Sequence, residues 1–448
     1  MNHEEEARAT EHEPRRQAQP SRSGDWLEYQ EGEAFQLSPV DRGRDAWTVL
    51  IAGIVFEALF WGFPMCFGVF QNYYADMHEL TGNAADIPLI GTLAQGLYYL
   101  GAPFSAFLAT KYPKYQRRQI WAGWPLCIAG LVAASFTTSV HGLIGTQGLL
   151  YGFGFVTLSY PIVSMLNEWW VARKGMAFGL ISASSGITGA FMPSIVELLL
   201  RTYGYRTTLR ACAVALAVLT GPLVPLFRSR LPASEHARLR RINWGFLHRP
   251  LFWVYGAATL VQGLGFYLPV VFLPSYATSL DISSARGALL LALMSVAQVL
   301  GQFTFGYLSD KKVSVGLLSC VCCVAAGTAS LSLWGRGTSL GLLAVFSLVY
   351  GFFGFGFGTM RVAMARAIDN DPSAVFALFA IFVSLQGIGN ILVGPMSMAL
   401  LAGPVLRGRF GVKHYAGLII LTGVSSLFAA LVIAGWHGYK RKVILRSN

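Results

Sequence analysis

The residue best suited to chemistry is Glu57, a lone carboxyl group inside the apolar run VFEAL at residues 55–59. An ionised carboxylate at membrane depth costs several kcal/mol unless it is paired or hydrated. Glu57 is therefore the candidate for proton coupling, because burial brings the neutral and ionised forms close in free energy. The structural alternative is a protonated carboxyl group that only hydrogen-bonds to a neighbouring helix.

Two arginines, Arg361 and Arg366, close a long apolar run in the second half of the chain. Arg361 lies deeper, and it is a candidate to bind an anion or to pair with Glu57 in one conformational state. The alternative is that both side chains extend to the membrane surface while their stems stay among apolar groups.

Uncharged polar residues also interrupt the apolar runs. Gln298 and Gln302 are four residues apart, which places them on one helix face, where their amides can contact a ligand but cannot carry a titrating proton. Interhelical hydrogen bonding is the alternative role for all such groups. The further candidates to line a cavity are Gln95, Tyr160, Gln386 and Asn390, together with Met65 and Arg361.

The pattern of reactive residues does not indicate an enzyme. The six cysteines all lie in apolar segments, and His141, His248, His414 and His437 lie at the ends of apolar runs. We find no Ser-His-Asp arrangement, phosphate-binding loop or metal-ligand spacing, so the sequence predicts no enzymatic activity, no cofactor and no metal.

The elements that must position these residues are membrane helices. Hydrophobic residues make up 54% of the chain and charged residues 12%, against about 25% charged in ordinary soluble proteins. The pattern predicts an all-α polytopic membrane protein with twelve transmembrane helices, since roughly 20 apolar residues span a bilayer. The predicted spans are 46–70, 87–110, 119–138, 142–165, 175–199, 208–227, 250–276, 286–308, 314–334, 338–360, 373–402 and 415–436.

A basic segment at 228–249 divides these spans into two six-helix bundles, 46–227 and 250–436. The acidic and polar range 1–45 is predicted to be a disordered cytoplasmic tail. Residues 437–448 are predicted to form a basic cytoplasmic tail. Lysines and arginines concentrate in alternate loops, which places both termini in the cytoplasm. The same distribution explains the net charge of +12 by membrane orientation, so nucleic-acid binding is not expected.

One segment carries a family resemblance. Trp169 and Trp170 precede Arg173 and Lys174, and small residues then recur every three or four positions through Gly186. Such a face lets a neighbouring helix approach closely. The segment resembles the helix-5 signature of the monocarboxylate-porter branch of the major facilitator superfamily, in particular its fungal members. A second loop, Gly306 to Lys312, resembles the superfamily's G-x-x-x-D-[RK] pattern through Asp310 and Lys311.

Departures from this branch concern the substrate. Lactate-type members have a helix-1 lysine after a Phe-Pro pair, where this chain has Met65, and an Asp and Arg on helix 8, where it has Gln298 and Gln302. The acid-and-glycine signature before helix 1 is reduced to Gly43 and Trp47. In the first-half loop the cations Arg117 and Arg118 remain without the aspartate. The resemblance implies that Arg117, Arg118, Arg173, Lys174, Asp310 and Lys311 form the cytoplasmic gate.

We therefore expect a secondary transporter of the major facilitator fold that moves a small organic solute through the lipid bilayer by alternating access. The missing charges favour a bulkier or less charged metabolite than lactate, with export of a fungal secondary metabolite as the leading interpretation and the plasma membrane as its location. Proton-coupled import of a monocarboxylate or other nutrient is the alternative, and protons are a possible co-substrate. A non-transporting sensor or partner-binding subunit is the alternative from another class. The sequence does not decide whether an accessory membrane subunit exists.

Overall fold

Twelve helical rods make up the protein in a computed structural model that describes residues 38–75, 77, 86–231, 244–311, 313–401, 410–412 and 414–447. The first four rods are α1 (Arg44–Phe60 and Gly62–Ala75), α2 (Ile87–Leu100 and Ala102–Lys111), α3 (Gln116–Ala134) and α4 (Val140–Leu143, a π-helical Ile144–Leu150 and Tyr151–Trp169). A continuous helix, Lys174–Thr220, holds α5 (174–203) and α6 (205–220). The last six are α7 (Pro250–Phe266 and Leu268–Thr278), α8 (Ser284–Ser309), α9 (Val315–Ala329 and a π-helical Ser330–Trp334), α10 (Leu340–Ile368), α11 (Pro372–Leu401) and α12 (Ala416–Ser447).

The predicted count of twelve agrees with the rods. By length and composition, nine stretches of the described chain are apolar enough to cross a membrane. One of them, Lys174–Leu226, has 53 residues and turns at Gly204, whose φ of 74° and ψ of 170° suit glycine, so it supplies both α5 and α6. The two remaining rods are α2, which is interrupted at Gly101, and α3, whose first turn holds Arg117 and Arg118.

Two apolar cores account for most of the packing. The buried residues of the first core all lie within 46–227. The buried residues of the second core lie within 246–433. A smaller cluster joins the two sets of helices through α2, α4 and α5 on one side and α10 and α11 on the other. The fold is thus two six-helix bundles that meet along a seam, where α5 packs on α8 and α2 packs on α11.

The small-residue face of α5 allows the α5 and α8 backbones to lie close together at this seam. A Cβ atom built on Gly179 would lie 2.7 Å from the carbonyl oxygen of Gln302, and one built on Gly306 would lie 2.5 Å from that of Gly175. Only glycine fits at such distances, because a methyl group would overlap the opposing backbone. The prediction that a neighbouring helix approaches this face closely is confirmed.

Three predicted boundaries change. The N-terminal tail was expected to stay unstructured through residue 45, but α1 begins at Arg44 and Asp41 is already buried. The tenth apolar span was placed at 338–360 with Arg361 and Arg366 closing the helix, and α10 ends at Ile368, two residues beyond Arg366. Both arginines hydrogen-bond inside the protein. The helix α12 continues through the predicted basic tail to Ser447. Residues 1–37 and 232–243 lie outside the described residues, so the rest of the tail, the linker and the exact bundle boundaries stay predictions.

Candidate functional site

Glu57 lies near the middle of α1 and is covered by the indole ring of Trp61. Counted along the helix, it is about 20 Å from Arg44, near the centre of a hydrocarbon layer of about 30 Å. Its side chain is 4% exposed, and its Oε2 accepts a hydrogen bond of 2.8 Å from Trp61 Nε1. The Ser159 hydroxyl on α4 is a second polar neighbour of this carboxyl group.

Trp61 belongs to a wall of aromatic rings from α1, α2 and α4. Its ring centroid lies 4.8 Å from that of Tyr98 and 5.3 Å from that of Phe155. Tyr98 stacks on Phe155 at 4.6 Å, and the Tyr160 hydroxyl donates to the carbonyl oxygen of Tyr98 at 3.2 Å. Tyr99 completes the wall at 5.8 Å from Trp61. These contacts join the rings into one continuous surface.

The second bundle presents polar groups to this wall. Arg361 Nε donates to the Gly358 carbonyl oxygen at 2.6 Å, and its Nη1 donates to Gln386 Oε1 on α11. Gly387 allows Tyr99 to approach, because a Cβ atom there would lie 2.2 Å from the Cβ atom of Tyr99. Tyr99 and Asn390 are also neighbours. Polar residues of α10 and α11 therefore face aromatic residues of α1, α2 and α4 across the seam.

Farther along the seam, a second set of contacts joins α1, α2 and α7. The Tyr267 hydroxyl donates to Met65 Sδ at 3.6 Å, and Gln95 Nε2 donates to the carbonyl oxygen of Pro64 at 3.1 Å. The side chains of Met65, Gln95, Tyr98, Tyr99, Tyr267, Arg361 and Asn390 are all partly buried. With Trp61, Tyr160 and Gln386 they form what we call the central site.

The structure thus brings together six of the predicted cavity residues, and Glu57 is joined to this site by its hydrogen bond with Trp61. Sequence reasoning missed Trp61, Tyr98, Tyr99 and Tyr267. The available signal was the Tyr98-Tyr99 pair three residues after Gln95, since two adjacent tyrosines in an apolar run are candidates for polar contacts inside a membrane protein.

Gln298 and Gln302 lie elsewhere, in the α5–α8 contact. Each is 6% exposed. Gln298 Nε2 donates to Ser185 Oγ at 3.3 Å and to Gln302 Oε1 at 3.4 Å. Their amides satisfy one another and α5, so they join the two bundles in this conformation.

Asp310 joins the bundles at the end of the molecule that carries Lys111, Arg173 and Lys311, which we call the basic end. Its two carboxylate oxygens accept from the backbone N–H groups of Gly175 at 2.8 Å and Met176 at 2.7 Å, at the start of α5. Arg366 on α10 pairs with the same carboxylate at 2.7 Å. A negative charge at a helix N-terminus is stabilised by the unpaired N–H groups and the helix dipole.

A second carboxylate at this end went unnoticed in the sequence. Asp41 adopts a left-handed backbone (φ 59°) and accepts from the N–H groups of Val171, Ala172 and Arg173 at 3.0, 2.9 and 2.8 Å. Nearby, the rings of Trp47 and Trp170 meet edge to face at 5.1 Å. The signature before helix 1 therefore keeps an acid as well as Gly43 and Trp47, and it packs on the segment that resembles the helix-5 signature.

The other predicted gate residues differ in exposure. Lys174 is buried, and its Nζ donates to Asn167 Oδ1 at 2.5 Å. The side chains of Arg117, Arg118, Arg173 and Lys311 are exposed. Arg118 and Lys311 lie over the rings of Tyr115 and Tyr307, at 5.3 and 4.6 Å. Lys174 and Asp310 are thus the two members of this set that make buried polar contacts.

Comparison with known proteins assigns the family. A family model described as the Major Facilitator Superfamily matches residues 46–394. The chain belongs to this superfamily. Within the described part of this major facilitator, no group of three or more His, Cys, Asp or Glu residues could hold a metal ion.

Relatives of this major facilitator include fungal and animal transporters. It is 24% identical over 409 residues to the MFS-type transporter pynF of Aspergillus niger, covering 90% of this chain and 92% of the relative. It is 25% identical over 397 residues to the Aspyridones efflux protein apdF of Emericella nidulans, covering 88% and 79%. It is 23% identical over 436 residues to Monocarboxylate transporter 12 of Xenopus laevis, covering 90% and 91%. The resemblance to monocarboxylate porters of fungal type is confirmed.

Among solved structures, the proton:xylose symporter XylE matches with a TM-score of 0.62 at 12% identity, over 87% of this chain and 95% of that one. This likeness concerns the fold. The protein is therefore a multi-pass membrane transporter of small solutes and not an enzyme.

Proposed function

We propose that this transporter exports a bulky organic metabolite that binds at the central site. The observation that carries the proposal is the aromatic wall of Trp61, Tyr98 and Tyr99, which faces Arg361 where the two bundles meet. A site of this kind offers a large apolar surface with few polar groups, which suits a solute larger than lactate. Met65 supplies no cation, and Gln298 and Gln302 are occupied with α5.

The named functions of relatives support export. Two of them, from Emericella nidulans and Gibberella fujikuroi, are called the Aspyridones and Fujikurins efflux proteins. Our proposal places this transporter in the plasma membrane with both termini and the basic end in the cytoplasm, in keeping with the excess of lysine and arginine there. Export then requires rocking of the bundles that breaks the Asp310 contacts and opens the central site to the cytoplasm.

The test is direct transport by purified protein in liposomes. The solute is first identified as the compound that disappears from the medium of the producing organism when this gene is deleted. We expect uptake of that compound into inside-out vesicles, whereas lactate is expected to give no more uptake than empty liposomes. Robust lactate transport would contradict the proposal, and accumulation only in right-side-out vesicles would favour the alternative, import of a nutrient.

Glu57 gives a second element of the proposal, coupling to protons. Its burial near the bilayer centre, with Trp61 as donor, is the arrangement expected of a carboxyl group that changes protonation during transport. We expect Glu57→Gln to abolish transport driven by a pH gradient while solute exchange at equal pH continues, because the amide keeps the shape but cannot titrate. Glu197→Gln is the matched control, since Glu197 pairs with Arg201 on the exposed surface. Unchanged pH-driven transport in Glu57→Gln would exclude this role.

A further inference from the structure

Arg361 is a cation in the protein interior whose hydrogen-bond partners are all neutral. It donates to the Gly358 carbonyl oxygen and to the Gln386 amide oxygen. The contrast is Arg366, which lies five residues later on α10 and pairs with Asp310 at 2.7 Å. Arg201, Arg249 and Arg366 each form an ion pair, whereas no acidic side chain of the described residues pairs with Arg361.

The buried acid of the first bundle does not serve as its counterion. Glu57 accepts a hydrogen bond from Trp61 and forms no ion pair with Arg361. Tyr98, Tyr99 and Tyr160 instead stand close enough to Arg361 to interact with it electrostatically. A buried charge without an opposite charge is costly, and that cost falls when a negative group binds beside it.

The residues around Arg361 also indicate the shape of the negatively charged ligand that would bind there. The Tyr98 and Phe155 rings stack with an interplanar angle of 28°, and the Tyr99 and Trp61 rings extend this wall. Flat conjugated molecules pack well on such surfaces. The guanidinium group is planar and binds delocalised acids through paired N–H donors, which a spherical cation does not do.

Asn390 adds a polar group beside Arg361 and Tyr99 that a ligand can contact. It lies one turn beyond Gln386 on α11 and beside Tyr99. Neither its amide oxygen nor its amide nitrogen makes a hydrogen bond of ordinary geometry with the described residues, although both atoms are buried. Polar atoms in a protein interior normally have partners. The Tyr99 hydroxyl is close enough to be one partner of this amide, and a bound molecule can supply another.

We infer that Arg361 binds the single acidic group, a carboxylate or enolate, of a planar conjugated solute whose flat body rests on the wall of Tyr98 and Tyr99, with Asn390 contacting a further polar atom. The anion-binding residue of this transporter is then on α10, whereas the lactate-type pattern has it on helix 8. This inference rests on the proposed function only in taking the central site as the place where the solute binds. It does not depend on the direction of transport.

The test measures binding of three probes to the purified full-length protein in detergent by isothermal titration calorimetry. The probes are 2-naphthoate, the neutral 2-naphthamide and the non-planar acid decalin-2-carboxylate. We expect 2-naphthoate to bind about tenfold or more tightly than either of the others, since hydrogen bonds to a charged partner are worth that much. Naphthoate binding no tighter than naphthamide binding, including no binding of either, overturns the inference.

Two variants assign the preference to Arg361. Arg361→Gln should remove the difference between naphthoate and naphthamide. Gln386→Glu places a carboxylate against the guanidinium without a change of shape, so it should lower naphthoate affinity about tenfold and leave naphthamide affinity unchanged. It also provides the test if Arg361→Gln does not fold. Arg286→Gln removes one exposed cation from α8 and should keep the wild-type ratio.

The outcomes separate the inference from the proposed function. A naphthoate preference that persists in Arg361→Gln or in Gln386→Glu overturns the role of Arg361, whatever is found for export. A preference that both variants abolish supports that role even if vesicle experiments show import. Export of a metabolite by a protein with no charge preference would leave the proposed function standing and remove the inference.

Discussion

Two helices begin at the basic end on opposite sides of the bundle seam, and they are capped in different ways. The N-terminus of α5 is capped by Asp310, which comes from the other bundle and also pairs with Arg366. The N-terminus of α11 is capped by its own Asp371, which accepts from Ser373 Oγ at 2.5 Å and from the Ala374 N–H at 3.4 Å. A cap from across the seam holds the bundles together, whereas a cap from within one chain segment does not.

The loops explain the difference. Asp310 stands four residues after Gly306, and the corresponding position after α2 is Thr110, whose hydroxyl donates to its own helix at the Ala106 carbonyl oxygen. At the start of α11, the contact across the bundle seam comes from Asn167 on α4. Its amide nitrogen donates to the Pro372 carbonyl oxygen at 3.3 Å. The start of α11 is thus joined to the other bundle by one neutral hydrogen bond, whereas the start of α5 is joined to it by the buried charges of Asp310 and Arg366. The two bundles are held at the basic end mainly through α5.

The largest effect is expected from Asp310→Ala. The change leaves Arg366 unpaired and removes the acceptor for two backbone N–H groups, at a cost of about 3 kcal/mol in the conformation closed at the basic end. We expect the equilibrium to shift toward opening at that end. The measurement is the labelling rate of a cysteine introduced at Met176 on the background of each variant, which should rise about 100-fold. A rate equal to that of the otherwise unchanged protein would mean that other contacts hold this end closed.

Asp41→Ala should have the next largest effect. The variant loses the acceptor of three backbone N–H groups at residues 171–173, worth about 2 kcal/mol for hydrogen bonds to a charged group. Because all these contacts lie within the first bundle, we expect a lower melting temperature in detergent and little change in the labelling rate at 176. Asp45→Ala is the control, since Asp45 is exposed. A labelling rate as fast as in Asp310→Ala would show that Asp41 also controls opening.

A smaller effect is expected from Asp371→Ala. Loss of an N-terminal cap costs about 1 kcal/mol. The cap does not cross the seam, so thermal stability should fall slightly while labelling at 176 and transport rate stay near wild type. If opening increased as much as in Asp310→Ala, the distinction between the two caps would fail.

The smallest effect is expected from Thr110→Asp, which restores the charge that the first-half loop lacks. Alone it should change stability by less than about 0.5 kcal/mol, because Asp371 already occupies the N-terminus of α11. Combined with Asp371→Ala, it should recover the lost stability and slow the labelling at 176. No recovery in the double variant would indicate that residue 110 does not reach α11. The comparison of single and double variants is a thermodynamic cycle.

The sequence by itself determined the twelve helices, the division into two bundles, the close face of α5 and the loss of the lactate-type charges. These properties follow from local composition and spacing, such as the recurrence of glycine at 175, 179 and 186. The position of Glu57 inside the membrane also followed from the length of the apolar run around it.

Only the tertiary structure decided which polar groups meet. It assigned Gln298 and Gln302 to the α5–α8 contact, and it joined Arg361 to Gln386, because helix rotation and depth are set by packing and not by the residues of one helix. Asp41 and Arg173 are 132 positions apart, yet the Arg173 N–H donates to the Asp41 carboxylate. Such contacts depend on how whole helices assemble, since a carboxylate can cap any exposed helix end and its own neighbours do not specify which one.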